Sequence, residues 1–357
     1  MSDMSPPPTT SETPEDKPLP GGNDPYPAGQ AQSVGPQNPV GLPFEEAARY
    51  AEGILDEVCK AVVGKREEVR LILAGLFADG HVLLDDVPGV AKTLTARSIA
   101  VAAGLEFSRV QFTPDVLPAD ITGSLVLDLT TRNPEFRPGP VFSNLLLADE
   151  VNRAPAKTQA ALLEAMQERQ VTADRDTHRL PRPFLVIATQ NPIESEGTYP
   201  LPEAQLDRFL LRTSMGYPSE TDEVTLLAHR IERRTDEVSL SPVCDASTFV
   251  AIQQSIEDIH LDQRLLSYCV ALVRATRSET QLAVGSSPRG TLALAKLSRA
   301  AALMAGREFV SPDDIRALVV PALAHRVVLS DDAWARRVSP ETVVRRAVDS
   351  VPVPQSK

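Results

Sequence analysis

The chain has 357 residues, enough for about two domains, and its formal charge of −12 argues against non-specific binding to a nucleic-acid backbone. Its three cysteines, Cys59, Cys244 and Cys269, lack metal-ligand spacing and read as buried apolar side chains or free thiols of a reducing compartment. Nothing at the start resembles a signal peptide and no stretch nears the roughly 18–20 apolar residues that cross a bilayer, so a soluble, cytoplasmic protein is expected.

Residues 1–42 are crowded with Pro, Gly, Ser, Thr and Gln and are expected to form a disordered tail. Helical spacing begins at Phe44, Ala47, Ala48, Ala51, Ile54, Leu55 and Val58, resumes after Gly64, and opens an α/β domain expected over 43–218. Strands are predicted at 81–85, 106–111, 145–149, 184–189 and 209–213, with helices at 92–103 and 156–168. The continuous apolar runs LLLA and FLVIA predict strands buried on both faces, as in a parallel sheet covered by helices. A helical lid domain is expected over 219–335, since no strand-like alternation survives from 219 to about 329. Helices are predicted there at 220–235, 246–258, 262–277, 288–304 and 311–324, the last opened by Ser311-Pro312-Asp313-Asp314. The end of the chain, 336–357, predicts one more helix at 340–349 and then Pro-rich coil.

Four stretches carry chemistry. In HVLLDDVPGVAKT (81–93), a strand meets a Pro-Gly turn and a Lys-Thr pair at a helix start, where free N–H groups and the helix dipole favour phosphate. The pattern GxxxxGK(S/T) would place Gly at 86 and 91, where this chain has Asp86 and Ala91. Asp86 is expected to take the left-handed, glycine-like backbone, and Ala91 to add one methyl near the phosphates. Lys92 is suited to reach β- and γ-phosphates and Thr93 to ligate Mg²⁺; by itself the turn equally fits a strand-turn-helix with a surface lysine. In LLLADE (145–150) two carboxylates emerge where a buried strand ends, with Asp149 placed to hold Mg²⁺ through its water and Glu150 to polarise an attacking water. FLVIATQNP (184–192) ends in Asn191, which as a third member of the set would sense the γ-phosphate. Arg208 and Arg289 would stabilise charge on the phosphoryl oxygens, although a salt bridge is the default for either alone.

The chain resembles the MoxR family of AAA+ ATPases over about residues 44–355. The resemblance rests on HVLLDDVPGVAKT, VQFTPDVLPADITG (110–123), LLLADEVNRAPAKTQAALLEAMQERQVT (145–172), FLVIATQNPIESEGTYPLPEAQLDRFLLR (184–212) and GSSPRG (285–290). It implies an α/β P-loop NTPase core with a five-stranded parallel sheet, a small all-helical lid and a ring, usually a hexamer. Asp86, Val87, Pro88, Gly89, Val90, Ala91, Lys92, Thr93 and Leu94 then form the Walker A loop, and Asp149 and Glu150 the Walker B pair. Asn191 resembles sensor 1, Arg289 sensor 2 and Arg208, with Arg212 as the alternative, an arginine finger for a neighbour's nucleotide. Val62, Val63 and Gly64 resemble part of the adenine pocket, and 124–142 a β-hairpin insertion. Arg153 either contacts a neighbour or pairs with a carboxylate. The resemblance further implies ATP and Mg²⁺ as ligands, protein clients, and a von Willebrand factor A-domain partner. A nucleotide-gated switch without hydrolysis and a magnesium-chelatase-like motor are the rival readings; DNA is not an expected partner.

Overall fold

The computed structural model describes residues 40–354 apart from 128, 130, 131, 175 and 193–197. The expected tail therefore lies, up to residue 39, outside the described residues. Helices α1 (Phe44–Cys59) and α2 (Arg66–Phe77) come first; Glu45 and Glu46 in the first turn of α1 complement the positive end of its dipole. Next are β1 (Val82–Asp85), α3 (Lys92–Ala102) and β2 (Phe107–Gln111). The short α4 (Pro118–Thr122) leads into an antiparallel hairpin of β3 (Gly123–Leu127) and β4 (Pro134–Pro138). After β5 (Leu145–Asp149) and α5 (Ala156–Glu168) a second hairpin forms, β6 (Gln170–Ala173) with β7 (Asp176–Arg179). The sequence reading has no counterpart for this hairpin, because its short strands are polar and mostly exposed and leave no apolar alternation. Strand β8 (Leu185–Gln190), the short α6 (Glu203–Leu206) and β9 (Leu211–Thr213) complete this part.

The remainder is mainly helical: α7 (Glu220–Arg233), α8 (Ala246–Ser255), α9 (Gln263–Ser278), α10 (Pro288–Met304), α11 (Pro312–Leu323), α12 (Asp331–Ala335) and α13 (Pro340–Asp349). Ser219, Asp245, Asp262, Ser287, Ser311, Ser330 and Ser339 each cap the helix that follows with a side-chain oxygen. Beside these helices, β10 (Leu282–Val284) and β11 (Val328–Leu329) form a short antiparallel ladder.

The central sheet has the order β2-β5-β8-β1-β9, and every pair is parallel. Successive residues alternate between two cores, as a strand period of two requires. Leu145, Leu147, Leu185 and Ile187 face one core; Leu146, Ala148, Val186 and Ala188 face the other. The first core runs without a break from the sheet through α1 and α2 into α9, α10 and α11. Polar contacts reinforce that docking: Arg70 Nη1 donates to the Met304 carbonyl at 3.2 Å, and Gln253 Nε2 to the Leu76 carbonyl at 2.8 Å. No described helix is long and apolar enough to cross a membrane. All three cysteines are free thiols, and burial pushes Cys244 up to about 12 and Cys269 up to about 11, so both stay protonated.

His81, at the start of β1, is fully enclosed. Its Nε2 donates to the Met166 carbonyl at 3.1 Å and its Nδ1 accepts from Val186 N–H at 3.0 Å, so the ring is neutral and joins α5 to β8. Desolvation pulls its pKa down to about 4. The unfolded chain, with histidine near its usual 6.5, binds the proton first as pH falls. The stabilisation from His81 is therefore complete above about pH 6.5 and is lost as pH drops through about 4, a swing on the order of 3 kcal/mol. Urea unfolding from pH 7 to 4 should show a shallower pH slope for His81→Gln than for the wild type.

Candidate active site

The parallel register gathers the C-terminal ends of β1, β5 and β8 on one edge: Leu84 pairs with Thr189, Asp85 with Gln190, and Ala148 with Ala188. Asp149 ends β5, Asp86, Glu150 and Asn191 follow their strands directly, and the 86–91 loop carries the chain to Lys92 at the start of α3. Open α/β sheets bind ligands at this edge.

Within the loop, Gly89 has φ +85° and Ala91 φ +60°, while Asp86 is not left-handed. The expectation for Asp86 is thus corrected. The turn needs the left-handed residue one step before the helix, and Ala91 accepts it at a cost of about 1–2 kcal/mol. Asp86 acts through its side chain. The buried carboxylate accepts from Met215 N–H at 2.6 Å, Gly216 N–H at 2.8 Å and Val87 N–H at 2.9 Å. It ties the root of the loop to the segment that leads into α7. Lys92 Nζ curls back onto the carbonyls of Asp86 at 2.7 Å and Val87 at 3.2 Å, so its ammonium lies within the loop. A Cβ added at Gly89 would meet nothing within 4 Å, which leaves the mouth of the loop open to a phosphate chain.

The carboxylate pair is held by neighbouring strands. Thr189 Oγ1 donates to Asp149 Oδ1 at 2.6 Å and accepts from Glu150 N–H at 2.8 Å, so one buried hydroxyl on β8 sets both residues. Arg109 on β2 pairs with Asp149 Oδ2 at 2.8 Å. Glu150 has φ +59°, a strained conformation for a non-glycine residue, and turns the chain off the strand end. Its Oε2 accepts from Gln111 Nε2 at 2.8 Å and Arg153 Nη1 at 3.2 Å. Of the two roles open to Arg153, the structure shows pairing with a carboxylate, and that carboxylate is Glu150. Asn191 is buried beside Asn152, whose Nδ2 donates to the Asn191 carbonyl at 3.4 Å. Asp85 and Asn191 line one cavity of about 480 Å³. Burial raises the Asp85 carboxyl above its usual range, opposed by Arg212 at 3.7 Å.

Val62, Val63 and Gly64 approach the same region. Gly64 has φ +72°, and a Cβ there would fall 2.2 Å from the Asp222 side chain; Lys65 Nζ donates to the Tyr217 carbonyl at 2.8 Å. Loop 62–65, the 86–93 turn and segment 215–222 therefore meet at one place.

Two of the sequence-derived residues lie elsewhere. Arg208 and Arg289 precede β9 and begin α10, at the N-terminal edge of the strands, and both line a cavity of about 300 Å³ with Gly80 and Arg326. The structure does not bring Arg289 to Lys92 of the same chain, because docking of α10 on α1 and α2 carries its start to the other end of the sheet. Asp207 organises that edge. It pairs with Arg289 at 3.6 Å, accepts from Ser287 Oγ at 3.4 Å, and accepts from the buried Arg326 Nε at 2.8 Å. Arg326 also donates to the Phe209 carbonyl at 2.7 Å, gripping the backbone on either side of Arg208. Arg208 forms no ion pair among the described residues, whereas Arg212 is engaged by Asp85 and Glu341 within the chain.

Comparison with known proteins identifies the family. The model of the ATPase family associated with various cellular activities (AAA) matches residues 81–211, and that of the AAA lid domain matches 274–347. The chaperone MoxR1 of Mycobacterium tuberculosis is 41% identical over 94% of this chain and 89% of its own length. The chain belongs to the MoxR family of AAA+ ATPases. Protein MoxR of Methylorubrum extorquens is 33% identical over 87% of this chain and 96% of its own. A solved structure from Cytophaga hutchinsonii superposes with a TM-score of 0.81 at 37% identity, covering 87% of this chain and 97% of that one. The parallel sheet and helical lid are those of the AAA+ fold.

Sequence reasoning missed Arg109, Gln111 and Thr189 as partners of the carboxylates, and Asp207 and Arg326 as the frame around Arg208. Gln111 and Thr189 each lie at the end of a recognised strand, beside residues already singled out; Arg326 gave no local signal. The Thr93 hydroxyl at the start of α3 and the Asp149 carboxylate at the end of β5 are oxygens of the kind that hold Mg²⁺ together with phosphate and water. Replacing Asp86 by Gly restores the first glycine of the usual loop pattern yet leaves the Met215 and Gly216 N–H groups without their acceptor. Asp86→Gly should lose about 1–3 kcal/mol of stability in urea unfolding.

Proposed function

We propose that this protein hydrolyses ATP to ADP and phosphate and uses the cycle to remodel or assemble protein clients within a ring of copies. The observation that carries the reading is the Thr189 hydroxyl, which sets Asp149 and Glu150 together at the strand edge that also carries Lys92 and the open 86–91 loop. Family membership supports nucleotide binding, and the similarity to a protein named a chaperone supports a protein client.

In this reading Lys92 leaves the loop carbonyls and donates to the β- and γ-phosphate oxygens, while the N–H groups of residues 89–93 cradle the chain. Thr93 and Asp149 would hold Mg²⁺, which supplies charge neutralisation at the phosphate oxygens. Val62, Val63, Gly64 and the 215–222 segment would flank the adenine. Glu150, its Oε2 fixed by Gln111 and Arg153, accepts the proton of water as the water oxygen bonds to the γ-phosphorus. The bond to the β-phosphate oxygen breaks and ADP departs. Asn191 orients the water or the γ-phosphate. Arg208 and Arg289, remote from their own chain's loop, would reach a neighbouring copy's nucleotide. A ring, with a hexamer as the expected size, and a von Willebrand factor A-domain partner belong to the same proposal, as does a cytoplasmic location. A switch without hydrolysis is disfavoured because it has no use for Glu150 at this position.

Lys92→Ala should lose ATP binding and turnover together. Glu150→Gln should keep ATP affinity within about threefold and lose turnover by roughly 10²–10⁴-fold. Equal turnover by all three proteins would refute the site. Arg208→Ala should also be inactive alone, yet mixing it with Glu150→Gln should restore measurable turnover, since a mixed assembly contains complete sites. A mixture as inactive as its components would refute action across copies.

A further inference from the structure

Helix α7 has 14 residues and not one is buried. A stand-alone surface helix is ordinarily polar all round. Here Val224, Leu227 and Ile231 recur at helical spacing and are 63%, 60% and 74% exposed, with Tyr217 at the root of the helix 70% exposed. Both ends of α7 are anchored beside the candidate active site. Its first turn meets Gly64 through Asp222, and the segment after it, 236–240, lines a cavity with Leu94 and Arg97 of α3. The apolar stripe thus projects beside the nucleotide edge, uncovered by the described residues of its own chain.

The opposite edge of the molecule carries a matching stripe. Arg289, Leu292 and Lys296 lie at positions i, i+3 and i+7 of α10, next to Arg208, and line the cavity described above; Leu292 is 65% exposed. The charges at the N-terminal end of α7 are complementary to that stripe. The first turn of α7 presents Glu220, Asp222 and Glu223 ahead of its apolar residues, whereas the α10 stripe flanks an exposed leucine with two cations. Arg230, at the far end of α7, is paired back to Asp236 of its own chain.

We propose that α7 is the docking helix for a second copy of this chain, and that it receives the Arg289–Leu292–Lys296 stripe of that copy. This rests on the reading that Arg208 and Arg289 serve a neighbour's nucleotide: each copy has the loop and carboxylates at one edge and these cations at the other, so the site is incomplete until two copies meet head to tail. α7 sets how the second copy is seated. Its exposed apolar residues are therefore needed for assembly and turnover and are dispensable for folding and ATP binding.

The test is sedimentation velocity on the full chain with ATP, comparing wild type with Leu227→Glu/Ile231→Glu. The expected result is an assembled wild type and a monomeric variant that keeps its thermal midpoint within about 2 °C. The variant should bind ATP within threefold of wild type and turn it over at least tenfold more slowly. In a mixture of Leu227→Cys and Leu292→Cys proteins, a short bismaleimide should join one copy to another far more than in either protein alone. Assembly of the double variant like wild type overturns the proposal, as does a wild type that stays monomeric. Altered ATP affinity with unaltered assembly also overturns it, and assigns α7 to its own chain's nucleotide. Wild-type turnover by Lys92→Ala would instead refute the ATPase site and leave the sedimentation result standing.

Discussion

Because β2, β5, β8, β1 and β9 all run in one direction, residues that follow strands and residues that precede them are separated by the length of the sheet. Everything distinctive about the molecule depends on that polarity. Asp149 ends a strand, Asp86, Glu150 and Asn191 follow strands, and all four share one edge. Arg208 precedes a strand and lies at the other. The helical part could have folded over the first edge; its apolar faces instead complete the core on α1 and α2, which carries Arg289 to the same end as Arg208. The phosphate loop and its carboxylates thus lie at one edge, and Arg208 and Arg289 at the other.

Both edges are fixed by buried polar groups satisfied across distant parts of the chain. Thr189 does this for the carboxylate pair, bridging β5 from β8. Asp86 does it for the phosphate loop, through backbone groups of Met215 and Gly216. Arg326 does it at the opposite edge, where its guanidinium is spent on Asp207 and on carbonyls around Arg208. Buried polar groups must be paired, so each of these contacts restricts the local backbone to one arrangement. The first two couple the loop and the carboxylates to their surroundings; the third couples the lid to the segment that bears Arg208.

Much of this was legible in the residues. The apolar runs 82–84, 145–148 and 185–188 announced buried parallel strands, and the polar residues at their ends announced the site. Start signals such as Ser311-Pro312 placed helices closely. The β6–β7 hairpin was not legible, since Thr172, Asp176 and Arg179 carry no apolar alternation. Nor was the left-handed backbone at Ala91, which propensity assigns to glycine and which the loop geometry imposes.

The sequence by itself determined the elements, their order and the identity of the groups at each strand end, because periodicity, capping and side-chain chemistry are local properties. Tertiary structure alone decided which groups meet. Asp86 finds its acceptor role through N–H groups about 130 positions away, and Arg289 departs from Lys92 because a shared core outweighs any local preference of α10. It also decided that the apolar stripe of α7, whose pattern promises burial, stays exposed among the described residues. Local chemistry names the parts, but only the closing of a common core sets the distances between them.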